Sequence, residues 1–224
     1  FYIFFVLGRN GFFSLLLKLN FLKNKFKKVL KLLIFILEKN KNNKIDKNLS
    51  KTLTRLGPGF IKLGQALSTR PDIFGLQITK KLVYLQDDIE PFPLTKAQKI
   101  IENETGLKLS NLFSKFYNKP LATASIAQVY KGILNTGEKV AIKILRPNIE
   151  NSLFMDFKFF YWISCLVEFI YPKIKRYKLS EMVKIFATSS LNEVDLKLEA
   201  SYCSELNNNF LDFKKFRVPK IFWE

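Results

Sequence analysis

One lysine of this sequence lies in the middle of an apolar segment whose side chains alternate as in a β-strand. In a strand, Val140, Ile142 and Ile144 would lie on one face, and Ala141, Lys143 and Leu145 on the other. Burying an ammonium group without a partner costs several kcal/mol, so a lysine at this place needs an anion. Two interpretations follow: Lys143 binds an anionic group such as a phosphate, or it lies on an edge strand and points to water.

The residues before the strand favour the phosphate. The segment Val140 to Lys143 matches the V-A-I-K pattern of protein kinases, in which the lysine holds the nucleotide phosphates and pairs with a helix glutamate. Kinases place G-x-G-x-x-G-x-V ahead of it, because glycine lets backbone amides approach phosphates closely. Residues 122–129 keep that spacing with alanine at each glycine position. Alanine adds a Cβ and restricts positive φ, so we expect a stiffer loop.

Two further segments carry polar residues at regular spacing. Within residues 60–72 the sequence predicts a helix that ends before Pro71 and has Lys62 and Gln65 one turn apart. Taken alone, this helix could simply present a polar face to solvent. In the segment 193–200, Asp195 and Glu199 are four residues apart and are predicted to share a helix face.

Together these motifs resemble the UbiB/AarF family of atypical kinases, which is tied to ubiquinone biosynthesis. Lys62-x-Gly64-Gln65 resembles the KxGQ motif of that family and continues with Ser-Thr-Arg-Pro-Asp at residues 68–72. The alanine-rich loop, Lys143 followed by Arg146-Pro147, and the ExD-like segment at 193–200 are also similar to the family. The resemblance covers roughly residues 50–224.

The resemblance implies a role for each motif. Lys143 would contact the phosphates and Glu199 would be its partner, so these two are the candidate catalytic residues. Lys62 and Gln65 would project into the cleft and, with Glu193 and Asp195, restrict access of protein substrates. The candidate cofactor-binding residues are Ala122, Thr123, Ala124, Ser125, Ile126, Ala127, Val129, Ala141 and Lys143.

The same resemblance implies ATP or ADP with Mg²⁺ as cofactor. The metal ligands are expected in a large lobe that would follow Glu224, so we expect residues 1–224 alone not to turn over ATP. The sequence opens on Phe1 and ends on a segment, residues 218–224, that reads like an interrupted strand; both observations favour a piece of a longer chain. Family members usually have glycine where this sequence has Ala127.

The composition gives a net charge of +18 with no histidine and two cysteines, Cys165 and Cys203. The absence of histidine and of a cysteine cluster makes a transition-metal site improbable. A genome biased towards AT-rich codons would raise the lysine content by itself, whereas a functional origin would be attraction to anionic lipid or nucleic acid. The charge is also uneven, because residues 1–47 hold eleven Lys or Arg against Glu38 and Asp46.

Residues 12–38 are predicted to form an amphipathic helix. Its polar side chains lie opposite an apolar stripe, and that helix would either pack on a core or lie on an anionic membrane surface. We expect the second alternative to give binding to anionic but not neutral vesicles, weakened by salt. The stripe consists of Leu15, Leu19, Leu22, Phe26, Val29, Leu33 and Ile36.

The pattern along the chain predicts an α+β fold, a kinase-like N-lobe of antiparallel sheet plus helix preceded by a helical extension with the KxGQ motif. Thr95 is expected to cap a helix through Asn103, and a hairpin is expected over 126–134 and 139–145. Long helices are expected over 153–171 and 180–210. The predicted domains are a basic amphipathic segment (1–48), a helical KxGQ extension (49–112) and the kinase-like N-lobe (113–224).

The predicted function is an ATP-binding atypical kinase or ATPase that supports ubiquinone biosynthesis at a membrane. The alternative is a non-catalytic scaffold of quinone biosynthesis that uses a kinase-like fold. Expected partners are a nucleotide, an anionic membrane surface, and quinone-biosynthesis enzymes or lipid precursors; no motif predicts nucleic-acid binding. No apolar run is long enough to span a bilayer. The resemblance implies a membrane-associated protein, at the cytoplasmic face of a bacterial inner membrane or at an organelle inner membrane.

Overall fold

The computed structural model describes residues 2–9, 28, 31, 34, 45–83, 85, 89–211, 213 and 216–223. The predicted helix over 12–38 falls almost entirely outside these residues. The described chain divides into two compact units, Phe1–Pro147 and Asn148–Glu224. In the described segments, no helix is both long enough and apolar enough to cross a bilayer.

The first unit opens with helices. They are α1 (Tyr2–Arg9), α2 (Ile45–Leu56), α3 (Pro58–Ser68), α4 (Pro71–Phe74) and α5 (Leu76–Val83). Helix α3 packs on α2 and on α5. Pro58 stands in its first turn, where a missing N–H does no harm, and Pro71 opens α4, so the chain breaks where the sequence predicted.

Gly64 allows these three helices to approach closely. A Cβ built at this position would lie 2.3 Å from Cδ1 of Leu85 and 2.9 Å from Cδ1 of Leu53. Both leucines are buried, so neither methyl group can turn out to solvent. Gly64 therefore has a packing function in this fold.

We expect Gly64→Ala to lower the free energy of unfolding by about 1–3 kcal/mol, because an extra methyl group overpacks a filled core. The higher helix propensity of alanine offsets at most about 1 kcal/mol of this loss. Urea denaturation measures the change. Ala66→Gly, at an exposed position of the same helix, is the control for propensity alone. A Gly64→Ala protein as stable as the parent would contradict the packing function.

The rest of the first unit is a small sheet with two helices on one face. Helices α6 (Leu94–Thr105) and α7 (Leu109–Leu112) precede strands β1 (Phe113–Phe116), β2 (Ala122–Thr123), β3 (Ala127–Leu134) and β4 (Lys139–Leu145). All pairs are antiparallel: β4 runs along one edge of β3, and β1 and β2 pair with successive parts of the other edge. The predicted α+β fold and the hairpin are confirmed.

Helix α6 supplies the apolar layer under the sheet. Ala97 and Ile101 are one turn apart and pack with Tyr130 and Ile144, joined by Phe92 from the preceding loop. The expected cap at Thr95 is wrong. The helix begins at Leu94 with Pro93 as N-cap, and the Pro93 carbonyl accepts hydrogen bonds from Lys96 and Ala97. Thr95 therefore already lies inside the first turn.

The second unit is helical. It contains α8 (Ile149–Ile170), a 3₁₀ helix (Pro172–Tyr177), α9 (Leu179–Asn192) and α10 (Leu196–Asn209), with α8 and α9 packed as a hairpin. The expected single helix over 180–210 is wrong, because the helix is interrupted between Asn192 and Leu196. Residues 216–223 form neither helix nor strand, although their sequence reads like a strand. The boundary between compact units differs from the motif-based domain limits, which stay a prediction.

Candidate nucleotide-binding site

The hairpin of β3 and β4 places Lys143 on the face of the sheet that faces away from the helices. Its partner across the ladder is Val129, and Ala122 is in turn the partner of Val129. Directly opposed residues of antiparallel strands have side chains on the same face. Ala122, Val129 and Lys143 therefore form a row across three strands, spanning roughly 10 Å at about 4.8 Å per strand.

Burial alternates along β4 as the sequence predicted. Ile144 is buried and packs towards α6, whereas Ala141 and Lys143 are exposed on the opposite face. Both candidate residues of this strand thus lie on one accessible surface beside the alanine-rich loop. A surface of this kind can receive a flat ligand while the ammonium group of Lys143 contacts its anionic end.

The alanine-rich loop is a tight turn between β2 and β3. The amide of Ala124 donates to the carbonyl of Ala127 at 2.8 Å, and the amide of Leu121 donates to Val129 at 2.7 Å. Ser125 and Ile126 are each 5% exposed, so the turn is anchored by its central side chains. These hydrogen bonds and the two buried side chains hold the turn in place, and the stiffness of the loop stays a prediction.

Arg146 holds this loop from the end of β4. Its Nε donates to the carbonyl of Ala124 at 3.1 Å and its Nη2 to the carbonyl of Glu90 at 2.9 Å. The guanidinium lies 5.8 Å from the ring centre of Phe92. The backbone amide of Arg146 donates a hydrogen bond to the carbonyl of Ile126. Burial lowers the pKa of Arg146 from its ordinary value, which still leaves it charged at neutral pH.

Arg146 contacts the candidate site, although sequence reasoning did not include it among the site residues. Its sequence signal is a charged side chain immediately after an apolar strand, three places beyond Lys143. Since the two carbonyl acceptors belong to distant segments, their identity is not readable from local spacing. Arg146 holds the loop through the carbonyls of Ala124 and Ile126, two of the candidate cofactor-binding residues.

We expect Arg146→Ala to destabilise the first unit by about 1–3 kcal/mol, since hydrogen bonds from a charged donor to two carbonyls are lost. Arg146→Lys keeps the charge but cannot span both acceptors, so it should recover only part of the loss. Hydrogen exchange of residues 121–127 is the specific measurement. Faster exchange there, with unchanged exchange in α8, is the expected pattern; an unaltered loop would contradict the positioning role.

Behind the loop, β3 carries a buried polar pair. Gln128 is 0% exposed, and its Oε1 accepts a hydrogen bond of 2.9 Å from the hydroxyl of Tyr130. Among the described residues, no acceptor contacts Nε2 of Gln128. The ring of Tyr130 stacks on Phe116 at 5.3 Å. These contacts hold β3 against α6 on the face opposite Lys143.

Lys62 and Gln65 lie half-buried on α3. The Nε2 of Gln65 donates to the backbone carbonyl of Leu85 at 3.1 Å, which ties α3 to the end of α5. Arg70 and Asp72 form an exposed ion pair of 2.7 Å at the turn into α4, and the hydrogen bond to Asp72 raises the pKa of Arg70. The predicted regulatory role of Lys62 and Gln65 stays a prediction.

The acidic candidates lie in the second unit. Glu193 is the C-cap of α9, and Asp195 is the N-cap of α10, where its Oδ1 accepts a hydrogen bond of 2.9 Å from the amide of Leu198. The spacing suggested that Asp195 and Glu199 share a helix face. Asp195 is instead the N-cap, just before the first residue of α10, and its carboxylate caps that helix. Glu199 is exposed in the first turn of α10.

The predicted pairing of Lys143 with Glu199 stays a prediction, because the two residues belong to different compact units. The roles of Glu193 and Asp195 as access-restricting residues are likewise predictions. Within the described segments, no three acidic or cysteine side chains are grouped so that they could hold a metal ion. Lys143 and the loop are the part of the site that the first unit assembles.

Comparison with known proteins gives consistent results. Residues 84–224 match the model of the ABC1 atypical kinase-like domain. The chain is 38% identical over 172 residues to the probable protein kinase UbiB of Pseudomonas paraeruginosa, covering 77% of this chain and 32% of that protein. It is 36% identical over 193 residues to the same-named protein of Shewanella baltica, covering 86% and 35%. The chain thus spans about a third of the length of these relatives.

One solved structure is also similar: the complex of Rv3197 with erythromycin from Mycobacterium tuberculosis. It shares 27% identity with this chain at a TM-score of 0.47, covering 88% of this chain and 48% of the solved one.

Proposed function

The chain belongs to the ABC1 atypical kinase-like family, the UbiB/AarF group, and on that premise we propose that it forms the ATP-binding front part of an atypical kinase or ATPase that supports ubiquinone biosynthesis at a membrane. The family assignment identifies a kinase-like protein. Nucleotide binding, the reaction, the quinone pathway and the membrane are the proposed parts.

The observation that carries the proposal is the row formed by Ala122, Val129 and Lys143. It puts a cation on an exposed sheet face, next to a turn that Arg146 holds in place. Ala122 and Val129 present small side chains beside Lys143, and the ammonium group of Lys143 would neutralise phosphate charge. The Mg²⁺ that accompanies ATP would need ligands beyond those grouped in the described residues.

Transfer to protein substrates is disfavoured in this proposal. The resemblance assigns Lys62, Gln65, Glu193 and Asp195 to the entrance of the cleft, so a small or lipid-like acceptor, or water, is the better candidate for the phosphoryl group. Membrane association would involve the basic front segment, residues 1–47.

A complementation experiment separates this enzyme from the scaffold alternative. The full-length protein, with or without Lys143→Ala, is expressed in a bacterium that lacks its own family member, and the ubiquinone content is measured. We expect the parent to restore ubiquinone and Lys143→Ala to give less than a tenth of that level. Lys139→Ala, four residues away on the same strand, is the matched control and should behave like the parent. Full restoration by Lys143→Ala would favour the scaffold.

A further inference from the structure

Helix α8 is apolar on two opposite faces. One face is buried: Leu153 and Phe157 are 0% and 4% exposed, and Phe157 packs edge-on against Phe186 of α9 at 5.4 Å. The other face carries large apolar side chains at intervals of seven, four and three residues, which is one side of a helix. They are Met155, Trp162, Leu166 and Phe169, exposed by 62%, 54%, 38% and 81%. A helix of this composition normally has both faces covered.

Beyond the exposed row, the tip of the α8–α9 hairpin carries further exposed apolar side chains and several exposed basic ones. Ile170 and Tyr177 are exposed beside Phe169. The 3₁₀ helix between them has an exposed basic side chain at three of its six positions, and a fourth follows it. These basic residues are Lys173, Lys175, Arg176 and Lys178. The guanidinium of Arg176 also stacks on the Tyr177 ring at 4.6 Å.

The acidic residues of the tip are engaged within the hairpin. Glu168 accepts hydrogen bonds from the amide and the hydroxyl of Ser180 at 2.9 and 3.0 Å, and the first of these is the main reason why the pKa of its carboxyl is lowered. Glu181 forms an ion pair of 3.1 Å with Lys178. The bonds of Glu168 tie the last turn of α8 to the first turn of α9. The tip is thereby held in one shape with its positive charges outward.

We propose that this hairpin tip docks on an anionic phospholipid surface. Phe169 and Ile170 enter the interface between head groups and acyl chains, Trp162 lies at the interface along α8, and Lys173 and Lys175 contact lipid phosphates. Aromatic side chains with flanking lysines suit this boundary, because one part of the surface is apolar and the adjoining part is negatively charged. The inference rests on the proposed membrane association and assigns a surface to it that is separate from the front segment.

The positive charge selects the occupant. A purely apolar partner would cover the row along α8 but would offer no negative charge to the basic side chains of the tip. A bilayer with anionic lipid offers both an apolar interior and negatively charged head groups. Lys184 of α9 also lies 5.1 Å from the ring centre of Tyr161, which extends the same combination of cation and aromatic ring along the hairpin.

The test uses the native tryptophan of α8 as a depth probe. Residues 1–224 contain two tryptophans, so Trp223→Phe leaves Trp162 as the single one among them, and any tryptophan elsewhere in the full-length protein is also changed to phenylalanine. This protein is mixed with vesicles of phosphatidylcholine, with or without phosphatidylglycerol, some containing brominated acyl chains. We expect a blue shift of Trp162 emission and quenching by the brominated chains in anionic vesicles, both reduced at high salt. Vesicles of phosphatidylcholine alone should give neither.

Paired variants identify the contacting residues. In the single-tryptophan protein, Phe169→Ser with Ile170→Ser, and separately Lys173→Glu with Lys175→Glu, should each lower Trp162 quenching and vesicle affinity at least tenfold. Leu76→Ser with Leu121→Ser is the apolar control, since those exposed side chains, at 66% and 63%, belong to the other unit. Lys108→Glu with Lys119→Glu is the charge control. Circular dichroism confirms that each variant is folded.

Several results would overturn the proposal. Binding to anionic vesicles with unquenched Trp162, and tip variants that bind like the parent, would assign attachment to another segment and leave the proposed membrane association intact. No vesicle binding at all would reject both, while nucleotide binding, measured on the same sample, tests the enzyme separately. If Trp162 is already shielded from acrylamide without vesicles, increasingly so at higher protein concentration, a second copy covers the row.

Discussion

Full-length protein with Lys143→Ala is expected to bind ATP and ADP roughly 10- to 100-fold more weakly than the parent. The reason is the position of Lys143 on an exposed strand face, opposite Val129 and beside the turn held by Arg146. A 10- to 100-fold loss of affinity corresponds to about 1.4–2.7 kcal/mol of binding free energy, here from the lost contact between an ammonium group and phosphate oxygens. Isothermal titration calorimetry at fixed ionic strength measures the change.

Two further variants make the result specific. Lys143→Met keeps most of the side-chain length and removes the charge, so it should lose as much affinity as Lys143→Ala. Lys139→Ala removes a charge from the same face of β4, opposite Ile133 and farther from the loop, and should change affinity less than twofold. Equal affinity of Lys143→Ala and the parent would reject the phosphate-binding role, and equal losses at both lysines would reduce it to general electrostatic attraction.

Replacement of Tyr130 by alanine should remove about 3–5 kcal/mol from the stability of the first unit, the cost typical of truncating a buried aromatic residue. Tyr130 is 1% exposed and packs in the cluster with Phe92, Ala97 and Ile144. Because whole domains are stable by only about 5–15 kcal/mol, such a loss could unfold the sheet that carries Lys143. Thermal and urea denaturation, followed by far-ultraviolet circular dichroism, measure the effect.

Tyr130→Phe separates the ring from the hydroxyl. It keeps the stacking on Phe116 but removes the donor to Gln128, so we expect a smaller loss of about 1–3 kcal/mol. Adding Gln128→Leu should recover part of that loss, since a buried amide without partners is replaced by an apolar side chain. A double variant less stable than Tyr130→Phe alone would contradict this account of the pair.

The same tyrosine predicts a dependence of stability on pH. Burial raises the pKa of Tyr130 above its ordinary value of 10.0. Above that pH the unfolded chain releases the phenolic proton while the folded chain retains it, so stability decreases as pH rises through the folded pKa. Below pH 10 the contribution is complete. In Tyr130→Phe this part of the alkaline loss should be absent.

The hairpin shows what local sequence determines in this protein. Alternation of apolar and polar residues and the four-residue loop 135–138 predicted both strands, with β4 over Lys139–Leu145 and β3 within one residue of the structure. Local alternation also placed Lys143 and Ile144 on opposite faces. In a strand with one face on the core and one in solvent, apolar and polar residues alternate with a period of two. This alternation is visible within a few residues, so it can be recognised without knowing which segment the strand pairs with.

Tertiary structure decided the rest, because the deciding contacts join segments far apart in sequence. The acceptors of Arg146 are 22 and 56 residues away, and no spacing rule identifies a backbone carbonyl at that distance. Residues 218–223, whose composition suggested an interrupted strand, form neither helix nor strand in the structure. Asp195 is a local exception. Its spacing from Glu199 suggested a helix interior, but its carboxylate accepts a hydrogen bond from the amide of Leu198, three residues on, and Asp195 is the N-cap of α10. Sequence determined the periodic elements and the lysine face. The long-range hydrogen bonds of Arg146, which only the tertiary structure brings together, determined what holds the loop.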